Sequence, residues 1–142
     1  MIVLDANILL YAYDSSSTQH SQARTLIERI FSEDQIVGIP WQTVSAFLRI
    51  VTNPTLPGQR FSIEEASSVI DQWLEQPNVR FLAPAEEHWS VLRRLLVSGQ
   101  VRGPMVTDAQ LAALALENGG ELYSTDRDFS RFKELRWSNP LD

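Results

Sequence analysis

Four short strand-like runs punctuate the chain: Ile2-Val3-Leu4-Asp5, Ile36-Val37-Gly38-Ile39, Val79-Arg80-Phe81-Leu82 and Glu121-Leu122-Tyr123-Ser124. Segments of helical period separate them. The first lies at about 7–13, the next at about 19–33, where Ala23, Leu26, Ile27 and Ile30 form an apolar stripe. Pro40 opens a third, in which Trp41, Val44, Phe47, Leu48 and Val51 recur on one face. Ser62 and Glu65 form a capping box for a helix of about 63–76. Further helices are expected at about 86–97 and 108–118, the last ending at Gly119-Gly120. Leu135-Arg136-Trp137 reads as a short fifth strand. Strands separated by helices imply parallel pairing through right-handed crossovers. The expected fold class is therefore α/β, a three-layer α/β/α sandwich with a central mostly parallel sheet. Residues 1–142 read as one domain, long enough for a full-sized core.

The composition narrows the chemistry. There is no cysteine, which excludes disulfides, thiolate catalysis and zinc–sulfur sites. No apolar run approaches the roughly 18–20 residues that span a bilayer. The opening Met1-Ile2-Val3-Leu4-Asp5 has no basic n-region or small-residue cleavage site, so a secretory leader is not expected and the cytoplasm is the default. Net charge is −6, at first sight wrong for a nucleic-acid binder. The cations, however, are eleven arginines and one lysine, Lys133. Arginine grips phosphate as a bidentate fork; a genome biased toward arginine codons gives the same count.

Acids recur where the expected elements begin and end. Asp5 closes the first strand, Asp108 opens a helix, and Asp126 and Asp128 follow the fourth strand. Each has an ordinary structural reading when taken alone. Asp5 suits a turn. Asp108, behind a Thr107 cap, favours a helix dipole. Asp128 suits the cap of a turn through Phe129-Ser130-Arg131-Phe132. Taken together, all fall at the carboxyl ends of the strands, where open α/β sheets bind ligands. Gathered carboxylates repel, and each raises the others' pKa values, unless a cation sits among them. Mg²⁺ or Mn²⁺ with carboxylate and water ligands resolves that conflict, and phosphodiester hydrolysis is the chemistry such a site serves without cysteine or histidine.

Three motifs carry a resemblance. Ile2-Val3-Leu4-Asp5-Ala6-Asn7, Thr107-Asp108-Ala109-Gln110-Leu111-Ala112-Ala113-Leu114-Ala115 and Ser124-Thr125-Asp126-Arg127-Asp128-Phe129 resemble, in order, the signatures of the PIN-domain ribonucleases, most closely the VapC-like toxins of bacterial type II toxin–antitoxin pairs. The resemblance implies a Mg²⁺- or Mn²⁺-dependent endoribonuclease. It implies an RNA substrate, a homodimer, and a cognate antitoxin whose tail occupies the site. Asp5, Asp108 and Asp126 fall on the family's catalytic and metal-binding acids, Asn7 and Thr125 on its polar neighbours, and Asp128 on its extra acid. One position departs. The family places a glutamate on the helix after the second strand, and Ala46 stands there. That puts a second metal in doubt and keeps open a PIN-fold binding module of weakened activity.

An aspartyl-phosphate phosphatase also begins strand–Asp, but it wants Asp-x-Asp and a phosphate-holding lysine. Here Asn7 takes the second place and Lys133 is in the tail. Arg49, Arg102, Arg127 and Arg131 lie near the expected site edge, and the first three are assigned to RNA phosphates. His20 and His88 sit among polar helical residues and are expected to be solvated. The aromatics fit core positions rather than base-stacking platforms.

Overall fold

The computed structural model describes residues 1–58 and 60–142. Five parallel strands form one sheet: β1 (Ile2–Leu4), β2 (Val37–Pro40), β3 (Val79–Leu82), β4 (Glu121–Tyr123) and β5 (Trp137–Ser138), in the spatial order β3-β2-β1-β4-β5. The helices are α1 (Ala6–Ala12), α2 (His20–Ser32), α3 (Trp41–Val51), α4 (Ile63–Glu75), α5 (His88–Ser98) and α6 (Met105–Glu117), with a 3-10 turn at Arg127–Arg131.

Alternation along β1 shows how the layers divide. Ile2 and Leu4 face a core shared with α1, α2, α3 and α4, in which Phe47 and Trp73 are fully buried. Val3 faces the opposite core, built from α5, α6, Leu122, Phe129 and Phe132. Both faces of the central strand are covered, as parallel sheets require. The expected three-layer architecture is the one observed.

The strand order has a functional consequence. From β1 the chain winds outward through β2 to β3, then crosses back and places β4 on the other side of β1. The reversal leaves a crevice beyond the carboxyl ends of β1 and β4, the usual ligand position in an open α/β sheet.

Several boundaries differ from the sequence reading. Helix α6 starts at Met105, not 108, because Gly103 takes a left-handed φ of 59° and Pro104 then presets the first turn. Thr107 thus lies inside the helix and caps nothing, while Asp108 sits in the first turn. The 3-10 turn is capped by Asp126, which accepts from the Asp128 N–H at 2.9 Å; Asp128 is not the cap. The last strand lies at 137–138 rather than 135–137. The capping box at Ser62 and Glu65 forms as read.

The two histidines are more engaged than their surroundings in sequence suggest. His20 Nδ1 lies 3.0 Å from the Tyr11 carbonyl oxygen. His88 Nδ1 lies 2.5 Å from Glu117 Oε2, in a pair whose side chains are only 16% and 2% exposed, and Glu117 also accepts from the Ala85 N–H. This pair sits where the start of α5 meets the end of α6, a contact made by the crossover and invisible locally. Two tryptophans are also surface residues: Trp41, whose ring meets Phe81 edge-on at 4.8 Å, and Trp89.

Candidate active site

The site is built outward from β1. Asp5 follows the strand and caps α1, its Oδ1 accepting from the Ala6 N–H at 2.7 Å. The pairing of Leu4 with Tyr123 places the next residues, Asp5 and Ser124, side by side. The Ser124 hydroxyl, fully buried, donates to Asp5 Oδ2 at 2.7 Å and accepts from the Asp126 N–H at 3.0 Å. Asn7 bridges the same ground. Its Nδ2 donates to Ser124 Oγ at 3.3 Å, and its Oδ1 accepts from the Thr125 N–H at 3.4 Å. Asn7 and Thr125 therefore lock the end of β4 onto the start of α1.

From the other direction, α3 fixes both β1 and α6. The buried Thr43 hydroxyl donates to the Leu4 carbonyl at 2.9 Å, and Gln42 Nε2 donates to the Thr107 carbonyl at 3.2 Å. One turn further, Ala46 lines a small cleft of about 70 Å³ together with Asp5, Gln42, Thr107 and Asp108. At Ala46 the chain leaves space and no charge.

The acids are brought to one edge. Carboxylate oxygens of Asp108, Asp126 and Asp128 lie within 4.8 Å of one another. Asp5 stands behind that trio, held by Ala6 and Ser124. Asp128, which the sequence suggested as an extra acid, belongs to the close cluster by geometry.

The electrostatics follow from the crowding. Burial pushes the Asp5 carboxyl up; the bonds from Ser124 and Ala6 oppose this, and Asp126 adds to it. Asp108 is pushed from 3.8 to about 6, first by burial, then by the charges of Asp126, Asp5 and Asp128, with Arg131 pulling the other way. Arg131 is itself anchored, Nη1 donating to the Gly99 carbonyl at 3.0 Å. An all-oxygen, multiply anionic set whose charges push Asp108 up fits a hard divalent cation.

The arginines separate. Arg127 lies between two of the acids, and Arg102 lies in the loop that leads into α6. Arg49 is exposed on α3 about one turn beyond Ala46, away from the strand ends. The sequence reading passed over Ser124 and Thr43. A hydroxyl one residue past β4, in register with an acid one residue past β1, was the signal for Ser124. Thr43 on the buried stripe of α3 gave none.

Comparison with known proteins shows the family. The PIN domain family model matches residues 2–135. Ribonuclease VapC43 of Mycobacterium tuberculosis is 37% identical over 142 residues, covering 100% of this chain and 97% of the relative. Ribonuclease VapC48 of the same organism is 36% identical over 138 residues, covering 96% and 95%. Among solved structures, M. tuberculosis VapC20 shares the fold with a TM-score of 0.68 at 19% identity, covering 96% of this chain and 99% of that one. VapBC-1 of nontypeable Haemophilus influenzae does so with a TM-score of 0.70 at 20% identity, covering 100% of both. The chain belongs to the PIN-domain family, among the VapC ribonucleases.

The raised Asp108 pKa makes a stability prediction. A carboxyl with a higher pKa folded than unfolded contributes stability that is full below pH 3.8 and gone once pH passes about 6. Without divalent ions, wild-type melting temperature should fall relative to that of Asp108→Asn as pH rises from about 4 to about 7. Thermal melts of both proteins across that range check it. Parallel curves would show that Asp108 carries no such repulsion.

Proposed function

We propose that this protein is a divalent-cation-dependent endoribonuclease, the toxin of a toxin–antitoxin pair. The observation that carries the reading is the cluster of Asp108, Asp126 and Asp128 beside Asp5 at the crevice between β1 and β4. Relatives named ribonucleases, 36–37% identical over 95–97% of their length, support it.

Asp5, Asp108 and Asp126 are the catalytic residues and metal ligands in this reading, with Mg²⁺ the expected ion and Mn²⁺ an alternative. Asp128 is the nearest further carboxylate. Once bound, the cation supplies Lewis-acid chemistry, acidifying water and offsetting phosphate charge. The chain's own residues supply the positioning. Ser124 and Asn7 hold Asp5 and the Asp126 backbone in a fixed relation, so the acids need little rearrangement when charge arrives. Arg102 and Arg127 flank the acids as phosphate contacts, and Arg49 extends that surface along α3. Residues 1–142 act as one domain, working in the cytoplasm as a homodimer. No helix among the described residues is long and apolar enough to cross a membrane. The partner is a cognate antitoxin that sets a guanidinium fork against the carboxylates.

The cleft at Ala46 favours one specific second reading, a binding module of weakened activity. Two variants separate the readings. Asp108→Asn should lower Mg²⁺- or Mn²⁺-dependent RNA cleavage by about 100-fold or more while keeping the fold, because it removes a charged ligand and relieves repulsion. Full activity at saturating cation would refute the role. Ala46→Glu restores a carboxylate facing Asp5 and Asp108, and should tighten Mn²⁺ binding by about tenfold, read by calorimetry. Two tight Mn²⁺ sites in the wild type would mean that another residue already fills the fourth position.

A further inference from the structure

Next to the acids, toward β5, the sheet edge carries an open cleft of about 400 Å³ lined by Arg127, Ser130, Trp137, Asn139 and Asp142. It is tied to the acid site by one chain neighbour and one hydrogen bond. Arg127 sits between Asp126 and Asp128 in the chain. The Trp137 indole N–H donates at 3.0 Å to the carbonyl of Ser124, the residue whose hydroxyl holds Asp5. The indole therefore has a fixed orientation, half-buried against the α5–α6 core while also lining the cleft.

The polar groups around it are available. Asn139 Oδ1 accepts from the Leu141 N–H at 3.0 Å, while its Nδ2 donates to no group among the described residues. The Arg127 side chain is 83% exposed, and its one ion pair, with Asp142, is 4.0 Å long. Such a pair contributes little in water and is readily exchanged for a phosphate. An aromatic side chain, a free amide donor and a loosely held guanidinium around one concavity match the three parts of a nucleotide. A base stacks on an aromatic, an amide reads a base edge, and an arginine holds a phosphate. An apolar peptide would leave the arginine and the amide unmatched.

We propose that this cleft is a nucleobase subsite, in which the base of a nucleotide flanking the scissile bond stacks on Trp137, its edge meets Asn139, and its phosphate is held by Arg127. The subsite gives the enzyme its preference at that nucleotide. The proposal rests on the ribonuclease reading for the scissile bond, and on the cleft alone for the binding.

The test uses the full chain and two substitutions in the cleft lining, Asn139→Ala and Arg127→Ala. Trp89→Ala serves as control, its indole exposed beside His88 at the far end of α6, about 13 Å along the helix axis from Asp108. First, labelled oligoribonucleotides are bound in the presence of a chelator and followed by fluorescence anisotropy. Both cleft variants should bind about tenfold more weakly, and the control as the wild type does. Second, with Mg²⁺ or Mn²⁺, RNAs differing only at the nucleotides flanking the cut are compared. Asn139→Ala should shrink the ratio of best to worst kcat/KM by about tenfold, through KM and not kcat. Arg127→Ala should raise KM for every sequence alike and leave that ratio unchanged.

Failure of the two readings looks different. A wild type that cuts no RNA ends the ribonuclease reading, and the chelator experiment still decides the cleft. Cleft variants that bind and discriminate within twofold of the wild type overturn the subsite and leave the cleft to a protein partner. An equal loss in Trp89→Ala overturns it as well, since the effect would not be local.

Discussion

The pairing of β1 with β4 decides the geometry of everything at the crevice. Parallel register sets Leu4 against Tyr123, and the next residue on each strand, Asp5 and Ser124, meet through a 2.7 Å hydrogen bond. That bond is partly buried, and the same hydroxyl accepts from the Asp126 N–H. One small side chain thus ties an acid from the first strand to the backbone of an acid after the fourth. A shift of the pairing by one residue would turn one of the two groups to the other face and dissolve the site. The helices reinforce this register. Thr43 reaches the β1 carbonyl end and Gln42 the first turn of α6, so Asp108 is delivered to the same place from the opposite layer.

Such an arrangement works against folding stability. Burial and three neighbouring acids raise Asp108 to about 6, and Arg131 relieves only part of the strain. The fold tolerates the cost at the topological switch point, where two well-packed cores hold the strands whether or not the acids are content. A divalent cation turns the same repulsion into attraction. Ala46 adds no charge to the cleft that it lines with Gln42, Asp5 and Asp108.

Much of this was legible in the residues. Short buried runs alternating with amphipathic segments defined a parallel sheet flanked by helices, and acids at element ends marked the edge where a ligand would sit. What the sequence withheld was long-range or set by backbone geometry. Gly103 and Pro104 start α6 one turn early, and a period-3.6 pattern cannot register that. Ser124 looks like the tail of a strand until β1 is placed beside it. His88 finds Glu117 because the crossover returns α5 to the far end of α6. Trp41 fits an amphipathic stripe on paper, yet it lies at the first helical position, beyond the strand ends, where the core no longer covers it.

The most direct measurement is a calorimetric titration of Mn²⁺ into the metal-free protein at pH 6 and pH 8, in buffers of different ionisation enthalpy. A carboxyl with a pKa of about 6 must lose its proton to bind the ion. Saturable binding should release protons at pH 6, release far fewer at pH 8, and lose the proton-linked component in Asp108→Asn. Binding that is absent, or that is unchanged by pH and by the substitution, would contradict the account of a cation site assembled from these acids.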